Sequence, residues 1–145
     1  MESINEKAIL NDIFQSAQIG SKAICDLLPK VENATFRADL KTQDSQYKDI
    51  QKDAAGQLMQ MGETPQELGT MKKAGMWASV NAQTVINTDT SHLAEVMING
   101  STMGITNMTK LVNTYQNPNL QVKGLADRLI QMEEQNIQRL KTYLQ

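Results

Sequence analysis

Apolar residues recur at steps of three and four positions along most of this chain, which is the spacing of one face of an α-helix. The longest uninterrupted stripe consists of Phe36, Leu40, Gln43, Tyr47, Ile50, Ala54, Leu58 and Met61. Because the steps hold through its polar members, Gln43 and Tyr47 are predicted to face the interior. No segment shows the alternation with a period of two that a half-buried strand requires. The pattern therefore predicts an all-α protein.

Capping residues and helix breakers divide the pattern into five helices within a single domain. Ser3 and Glu6 have the spacing of a capping box, and Pro29 ends the first helix. Asn33 is suited to cap the second helix, which Gly62 then stops. The predicted helices cover residues of about 3–30, 33–61, 65–87, 90–116 and 119–144 in a domain of 1–145.

The third helix has the clearest start, because Thr64, Pro65 and Glu67 supply an N-cap, a proline in the first turn and a capping-box carboxylate. Its length of about 33 Å is enough to return the chain to the other end of a bundle. The sequence thus predicts two antiparallel hairpins joined by a long crossover helix. A five-helix up-and-down array is the alternative. The fourth helix is apolar around much of its circumference and is expected to be central.

The bulk composition limits the classes of partner. The chain has 145 residues, a net charge of −2 and no cluster of basic residues, so neither nucleic acid nor an anionic membrane is expected to bind. It shows no basic and then apolar leader and no apolar run of about 18 residues, so we expect a cytoplasmic protein. Cys25 is the sole cysteine, which excludes an intramolecular disulfide, and its neighbours Ile24 and Leu27 predict a packed thiol.

Several helical motifs suggest a family. The first hairpin contains ICDLLPK at 24–30 and FRADL at 36–40, and it resembles that of small bacterial ferritin-like proteins of unknown function. The second half contains HLAEVMINGSTMGITNMTKLVNTYQ at 92–116 and LADRLIQMEEQNIQRLKTYL at 125–144, and it is similar to coat-protein-F-like spore proteins. The resemblance covers nearly the whole chain. It implies a ferritin-like four-helix bundle with an additional crossover helix, and a spore-coat-like role with an association with spores.

The resemblance also indicates where metal ligands would lie. Di-iron members of this superfamily use a Glu on each of two helices and Glu-x-x-His on each of the other two. Here Asp44 and Tyr47 stand in the first Glu-x-x-His, and Glu133 and Asn136 stand in the second. Both histidines are missing, the middle of the first helix has no carboxylate, and Glu95 lies near the start of its helix. Iron prefers anionic oxygen ligands completed by imidazole, so this set predicts no functional di-iron site.

Two interpretations of these residues remain. The favoured one is a hydrogen-bonded polar layer in the core formed by Gln43, Tyr47 and Asn136, with no catalytic residue and no cofactor. The alternative is a divergent oxidoreductase or metal-binding protein that holds iron or manganese. Its ligands would be Asp44, Tyr47, Glu95 and Glu133. A pocket for a small apolar ligand is a third option that the sequence neither supports nor excludes.

The crossover helix carries more apolar residues than a single packed face needs. These residues are Met71, Met76, Trp77 and Val80. A helix lying along a bundle needs one apolar face, so the second face is available to a second subunit. We therefore expect a homodimer, or a complex with another protein. The predicted function is a non-enzymatic structural or protein-interaction scaffold.

Overall fold

A computed structural model describes residues 2–66, 86–115 and 118–145, with side chains from Glu6 onward. These ranges contain four α-helices and no strand, which confirms the all-α prediction. The helices are α1 (Glu2–Leu27), α2 (Ala34–Gln60), α3 (Thr90–Thr114) and α4 (Leu120–Lys141). A single turn of 3₁₀ helix, Leu28–Lys30, follows α1. The helix predicted at 65–87 lies outside the described residues except for its two ends, so the count of five helices is not supported.

Side chains at the helix ends explain where α2 and α4 begin. The Asn33 side chain accepts a hydrogen bond from the backbone N–H of Phe36 at 2.9 Å, and Asn119 accepts one from Val122 at 2.9 Å. Each amide thereby satisfies one of the N–H groups that the first turn leaves without an intrahelical partner. At the other end of α2, Gly62 has a φ of 77°, a left-handed conformation that glycine adopts without steric cost.

Helix α4 lies antiparallel to α2, as ion pairs between the two helices show. Arg139 Nε lies 2.9 Å from Asp39 Oδ2 near the start of α2, and Arg128 Nη1 lies 2.6 Å from Asp53 Oδ2 further along it. The close packing of α1 on α2, and of α3 on α4, forms two hairpins.

The two hairpins are joined by a connection between opposite ends of the bundle. Helix α2 ends beside the start of α4, where Gln57 Nε2 lies 3.5 Å from the carbonyl oxygen of Gln121. Helix α3 begins at the other end, where the backbone N–H of Gln145 donates to Ser91 Oγ at 3.0 Å. The helices therefore run up, down, down and up. This order excludes a simple up-down-up-down bundle and agrees with the long crossover expected from the sequence.

The first residues of this connection lie along α1. Lys7 Nζ forms an ion pair with Glu63 at 2.7 Å. Three residues later, Gln66 donates its backbone N–H to Asn11 Oδ1 at 2.9 Å, and its carbonyl oxygen accepts from Gln15 Nε2 at 3.0 Å. The chain thus leaves α2 in the direction of α1, toward the end of the bundle where α3 begins.

Helix α3, which the sequence predicted to be central, buries one side, and among the described residues α1 contains more buried positions than α3. The interior residues of α1 include Ile9, Leu10, Ile13, Phe14, Gln15, Ser16, Ala17, Ile19, Gly20, Ser21, Ala23 and Ile24. On α3, several large apolar side chains stay partly exposed, namely Val96, Ile98, Leu111 and Val112. The sequence pattern misled because the middle of α1 contains small polar residues and glycine. Their small size allows the neighbouring helices to approach, although their polarity suggests an exposed surface.

Two further findings concern the exposure of Cys25 and the apolar character of the helices. Cys25 is exposed, so the predicted packed thiol is wrong. Successive residues of a helix point about 100° apart, so the buried Ile24 beside it does not determine where Cys25 points. None of the described helices combines the length and apolar character needed to cross a bilayer.

Candidate functional site

The centre of the bundle contains a buried carboxyl group joined to two hydroxyl groups. Glu133 on α4 is only 4% exposed. Its Oε1 accepts a hydrogen bond from the Tyr47 hydroxyl of α2 and another, at 3.1 Å, from Ser101 Oγ of α3. One carboxylate oxygen therefore links both hairpins through their interior.

Helix α1 forms the fourth side of this cluster through a glycine. The Tyr47 ring lies directly against Gly20, since a Cβ atom added at Gly20 would lie 2.5 Å from Tyr47 Cζ. That separation is much shorter than van der Waals contact between carbon atoms. Residue 20 must therefore be glycine for the tyrosine to reach Glu133 in this position.

Burial dominates the electrostatics of the cluster. It raises the pKa of Glu133 to about 7, although the hydrogen bonds from Tyr47 and Ser101 act in the opposite direction by stabilising the carboxylate. In the described part of the chain no cation pairs with Glu133. Burial, and then the adjacent Glu133 carboxylate, raises the pKa of Tyr47 well above its ordinary value. Tyr47 thus remains a neutral hydrogen-bond donor at physiological pH.

Two buried amides lie about one helical turn away from this cluster along the bundle. Gln43 and Asn136 are opposite each other on α2 and α4, between the Tyr47–Glu133 and Asp39–Arg139 contacts. Gln43 is 2% exposed and Asn136 is 7% exposed. Neither polar atom of the Gln43 amide, nor Nδ2 of Asn136, has a hydrogen-bond partner among the described residues. Tyr47 therefore bonds to Glu133, and these two amides do not form the mutual hydrogen bonds expected for a polar layer.

The metal-ligand candidates from the sequence are not brought together. Asp44 accepts a hydrogen bond from Ser21 and pairs with Lys48 Nζ at 2.8 Å. Glu95 is exposed on α3, and the hydrogen bond between Tyr47 and Glu133 is the one that joins two of the four candidates. Within residues 2–66, 86–115 and 118–145 there is no group of three or more His, Cys, Asp or Glu side chains arranged to hold a metal ion. One carboxylate with two hydroxyl groups does not match the donor set of a di-iron centre.

Sequence reasoning missed two members of the central cluster. Ser101 lies on the buried stripe of α3, four residues after Met97, so helical spacing could have identified it. Gly20 gave no comparable signal, because a glycine within a helix shows neither which neighbour it contacts nor how closely. The predicted interface residues Met71, Met76, Trp77 and Val80 lie outside the described residues.

Comparisons with known proteins give a structural match. No family model matches the chain, and no curated protein matches it in sequence. Among solved structures, it is similar to a DUF305 fragment from Deinococcus radiodurans, with a TM-score of 0.75 over 95% of this chain and 93% of that one. The two share a fold. At 13% sequence identity the match carries no activity, ligand or partner.

This match corrects the family prediction. The resemblance to ferritin-like and coat-protein-F-like proteins is wrong, since the structural neighbour is a DUF305 fragment. The spore-coat role and the spore association that came with the resemblance have no support either. The motifs that suggested them were stripes of Leu, Ile, Met and Gln, which many unrelated helical bundles share.

Proposed function

We propose that the protein is a non-enzymatic helical scaffold that acts by associating with itself or with another protein. The observation that supports the non-enzymatic part of this proposal is the burial and hydrogen bonding of Glu133. Its Oε1 accepts hydrogen bonds from Tyr47 and Ser101, and the side chain is 4% exposed. A metal ion or substrate could reach this oxygen only by breaking those bonds in the interior, where an unpaired polar group is costly.

The positions of the other carboxylates support the same proposal. Asp44 is engaged by Ser21 and Lys48, and Glu95 points to solvent. Acid–base or metal chemistry needs its groups within hydrogen-bond reach of one reacting atom. Here Asp44 and Glu133 bond to different partners and Glu95 is exposed, so among the described residues no two of these carboxylates share a partner.

Metal loading tests the non-enzymatic part of the proposal. The protein is incubated anaerobically with Fe(II) or Mn(II), desalted and analysed for its metal content, and circular dichroism checks that it stays helical. We expect far less than one metal ion per chain and no reaction with oxygen or peroxide. Stoichiometric metal that is lost in Glu133→Gln, but retained in the exposed control Glu134→Gln, would overturn the proposal in favour of a metal-dependent oxidoreductase.

Light scattering tests the self-association part. We expect a homodimer at tens of micromolar. The sequence assigns its interface to the apolar residues around Trp77, so Trp77→Glu should release monomers. A wild-type protein that is monomeric under these conditions would remove self-association and leave binding to a different protein.

A further inference from the structure

The interface between the two hairpins has polar groups at its centre. The Tyr47 hydroxyl of the first hairpin donates to Glu133 Oε1, and Ser101 of the second hairpin donates to the same oxygen at 3.1 Å. Other contacts between the hairpins, such as the ion pair of Arg128 with Asp53, lie at the exposed surface. A hydrogen bond through the interior thus joins the two hairpins at Glu133.

An ionised Glu133 has little electrostatic support in this position. Both of its donors are neutral hydroxyl groups that reach the same oxygen, and no cation of the described residues pairs with it. A charge that is buried without a counter-ion is costly. Ionisation therefore favours an arrangement in which water reaches the carboxylate, whereas the protonated side chain carries no such cost.

Tyr47 is the titratable group that faces Glu133 from the other described helices. It stays neutral, because burial raises its pKa well above the ordinary value. Helix α3 presents Ser101, and α1 presents Gly20 against the Tyr47 ring, and neither of these residues titrates. Burial raises the pKa of Glu133 itself to about 7, so its ionisation depends on whether the interface is closed.

Charged side chains that are close to this cluster along the chain have other surroundings. Asp44 of α2 accepts a hydrogen bond from Ser21 and pairs with Lys48. Glu134 of α4 is exposed. Neither carboxylate acts on the pKa of Glu133, so the charge of the closed interface depends on this one group.

The same interface contains polar atoms that would gain from hydration. Gln43 of α2 and Asn136 of α4 are buried about one helical turn from the Tyr47–Glu133 bond. Both polar atoms of the Gln43 amide, and Nδ2 of Asn136, have no hydrogen-bond partner among the described residues. Water that enters the interface can bond to these atoms, which lowers the free energy needed to open it.

We propose that Glu133 acts as a pH switch on the interface between the two hairpins. The hairpins are closed around the carboxyl group when it is protonated. When it ionises, α2 and α4 separate enough to admit water, while each hairpin keeps its helices. Opening releases a proton, so a rise in pH favours the open form. This switch goes beyond the scaffold role and does not depend on whether the protein self-associates.

Thiol labelling inside the interface tests the switch. Ala54 and Ala126 are fully buried. Ala54 follows Tyr47 by seven positions and Ala126 precedes Glu133 by seven, so each lies on the same side of its helix as that residue. Ala54→Cys and Ala126→Cys are made one at a time in a Cys25→Ser background. A pyridyl disulfide then measures how accessible each new thiol is, and circular dichroism follows the helical content.

The labelling rate is compared at each pH with that of the exposed Cys25 in the wild type, which corrects for thiol ionisation. We expect this ratio to rise at least tenfold between pH 5 and pH 7 and then to level off, at constant helical content. The reason is that the pKa of Glu133 changes from about 7 to 4.5 on opening, and each unit allows about a tenfold change. Glu133→Gln should abolish the rise, and the exposed control Glu134→Gln should retain it.

A ratio that does not change with pH, or that rises equally in Glu133→Gln, would overturn the switch. So would labelling that depends on urea as steeply as complete unfolding does, since the thiols would then react only in the unfolded chain. The two reporter positions lie on different hairpins. If one cysteine variant fails to fold, the other therefore decides the result.

Discussion

Glu133 makes the stability of the bundle depend on pH, because its carboxyl group is more easily ionised in the unfolded chain. Burial raises its pKa from 4.5 to about 7 in the folded protein. Between pH 4.5 and about 7, the folded protein therefore keeps a proton on Glu133 that the unfolded chain has released. The stability that the folded protein gains from protonated Glu133, relative to its ionised form, is fully present below about pH 4.5 and is lost as the pH rises through about 7. Above that range, folding carries the cost of a buried charge.

Glu133→Gln should remove this dependence. We expect the free energy of unfolding at pH 8 to rise by as much as roughly 3 kcal/mol relative to wild type, since each unit of pKa shift corresponds to about 1.4 kcal/mol. At pH 4 the two proteins should be similar, because Gln resembles the protonated side chain. Urea unfolding across this pH range measures the difference. Glu134→Gln, at an exposed position, should leave the pH profile unchanged.

The Gln43 amide is a second source of instability in the interior. Both of its polar atoms are buried without a hydrogen-bond partner in the described residues. Gln43→Met keeps the length of the side chain and removes both atoms, so we expect it to stabilise the protein by about 1–2 kcal/mol. Gln60→Met, at an exposed position of α2, should change stability little in urea unfolding. A loss of stability in Gln43→Met would show that the amide is satisfied in solution.

The sequence predicted which way these residues face, but not which atoms they bond to. Helical spacing correctly placed Gln43, Tyr47 and Asn136 in the interior, since it depends only on the rotation of about 100° per residue. The Tyr47–Glu133 hydrogen bond joins residues 86 positions apart. Such a contact depends on how two helices are positioned relative to each other along the bundle axis. The spacing of residues within one helix does not determine this position.

At the scale of the helix, two glycines have opposite roles. Gly20 accommodates the Tyr47 ring, whereas Gly56 faces open space. Gly20→Ala should destabilise the protein by about 1–3 kcal/mol, because the added methyl group overlaps the ring. Gly56→Ala should stabilise it by about 0.5–1 kcal/mol through helix propensity alone. Urea unfolding at low micromolar concentration measures both changes. Shifts of the same sign in the two variants would contradict this assignment of roles.

Helix boundaries were predicted best where a side chain caps the end. The predicted start at residue 33 corresponds to Asn33, which caps Ala34–Gln60, and the predicted start at 119 corresponds to Asn119, which caps α4. Both signals are local, because an amide and an N–H group three residues away suffice. The depth of each helix was predicted less well. It depends on the size of side chains such as Ser16, which packs in the interior of α1 despite its polarity.

At the scale of the whole molecule, the sequence predicted two hairpins and a long connection between opposite ends of the bundle. It did so because helix lengths and breakers restrict how the chain can close. The family could not be predicted in the same way. An apolar stripe indicates only that a helix packs against other helices, and many unrelated helical bundles have similar stripes.

The paired-hairpin architecture has a consequence for the order of folding. Each hairpin joins helices that are neighbours along the chain, whereas the Tyr47–Glu133 bond joins the two hairpins across 86 positions. Closing a long loop costs entropy before distant contacts form, so we expect the hairpins to form first and to dock last.

Tyr47→Phe should therefore speed unfolding roughly tenfold and leave refolding nearly unchanged, since its bond forms after the transition state. Stopped-flow kinetics in urea measure both rates. Asn33→Ala, which removes the local cap of α2, should instead slow refolding. A Tyr47→Phe variant that refolds more slowly would show that docking begins before the transition state. With the expected result, the lifetime of the folded protein is set by the separation of two preformed hairpins.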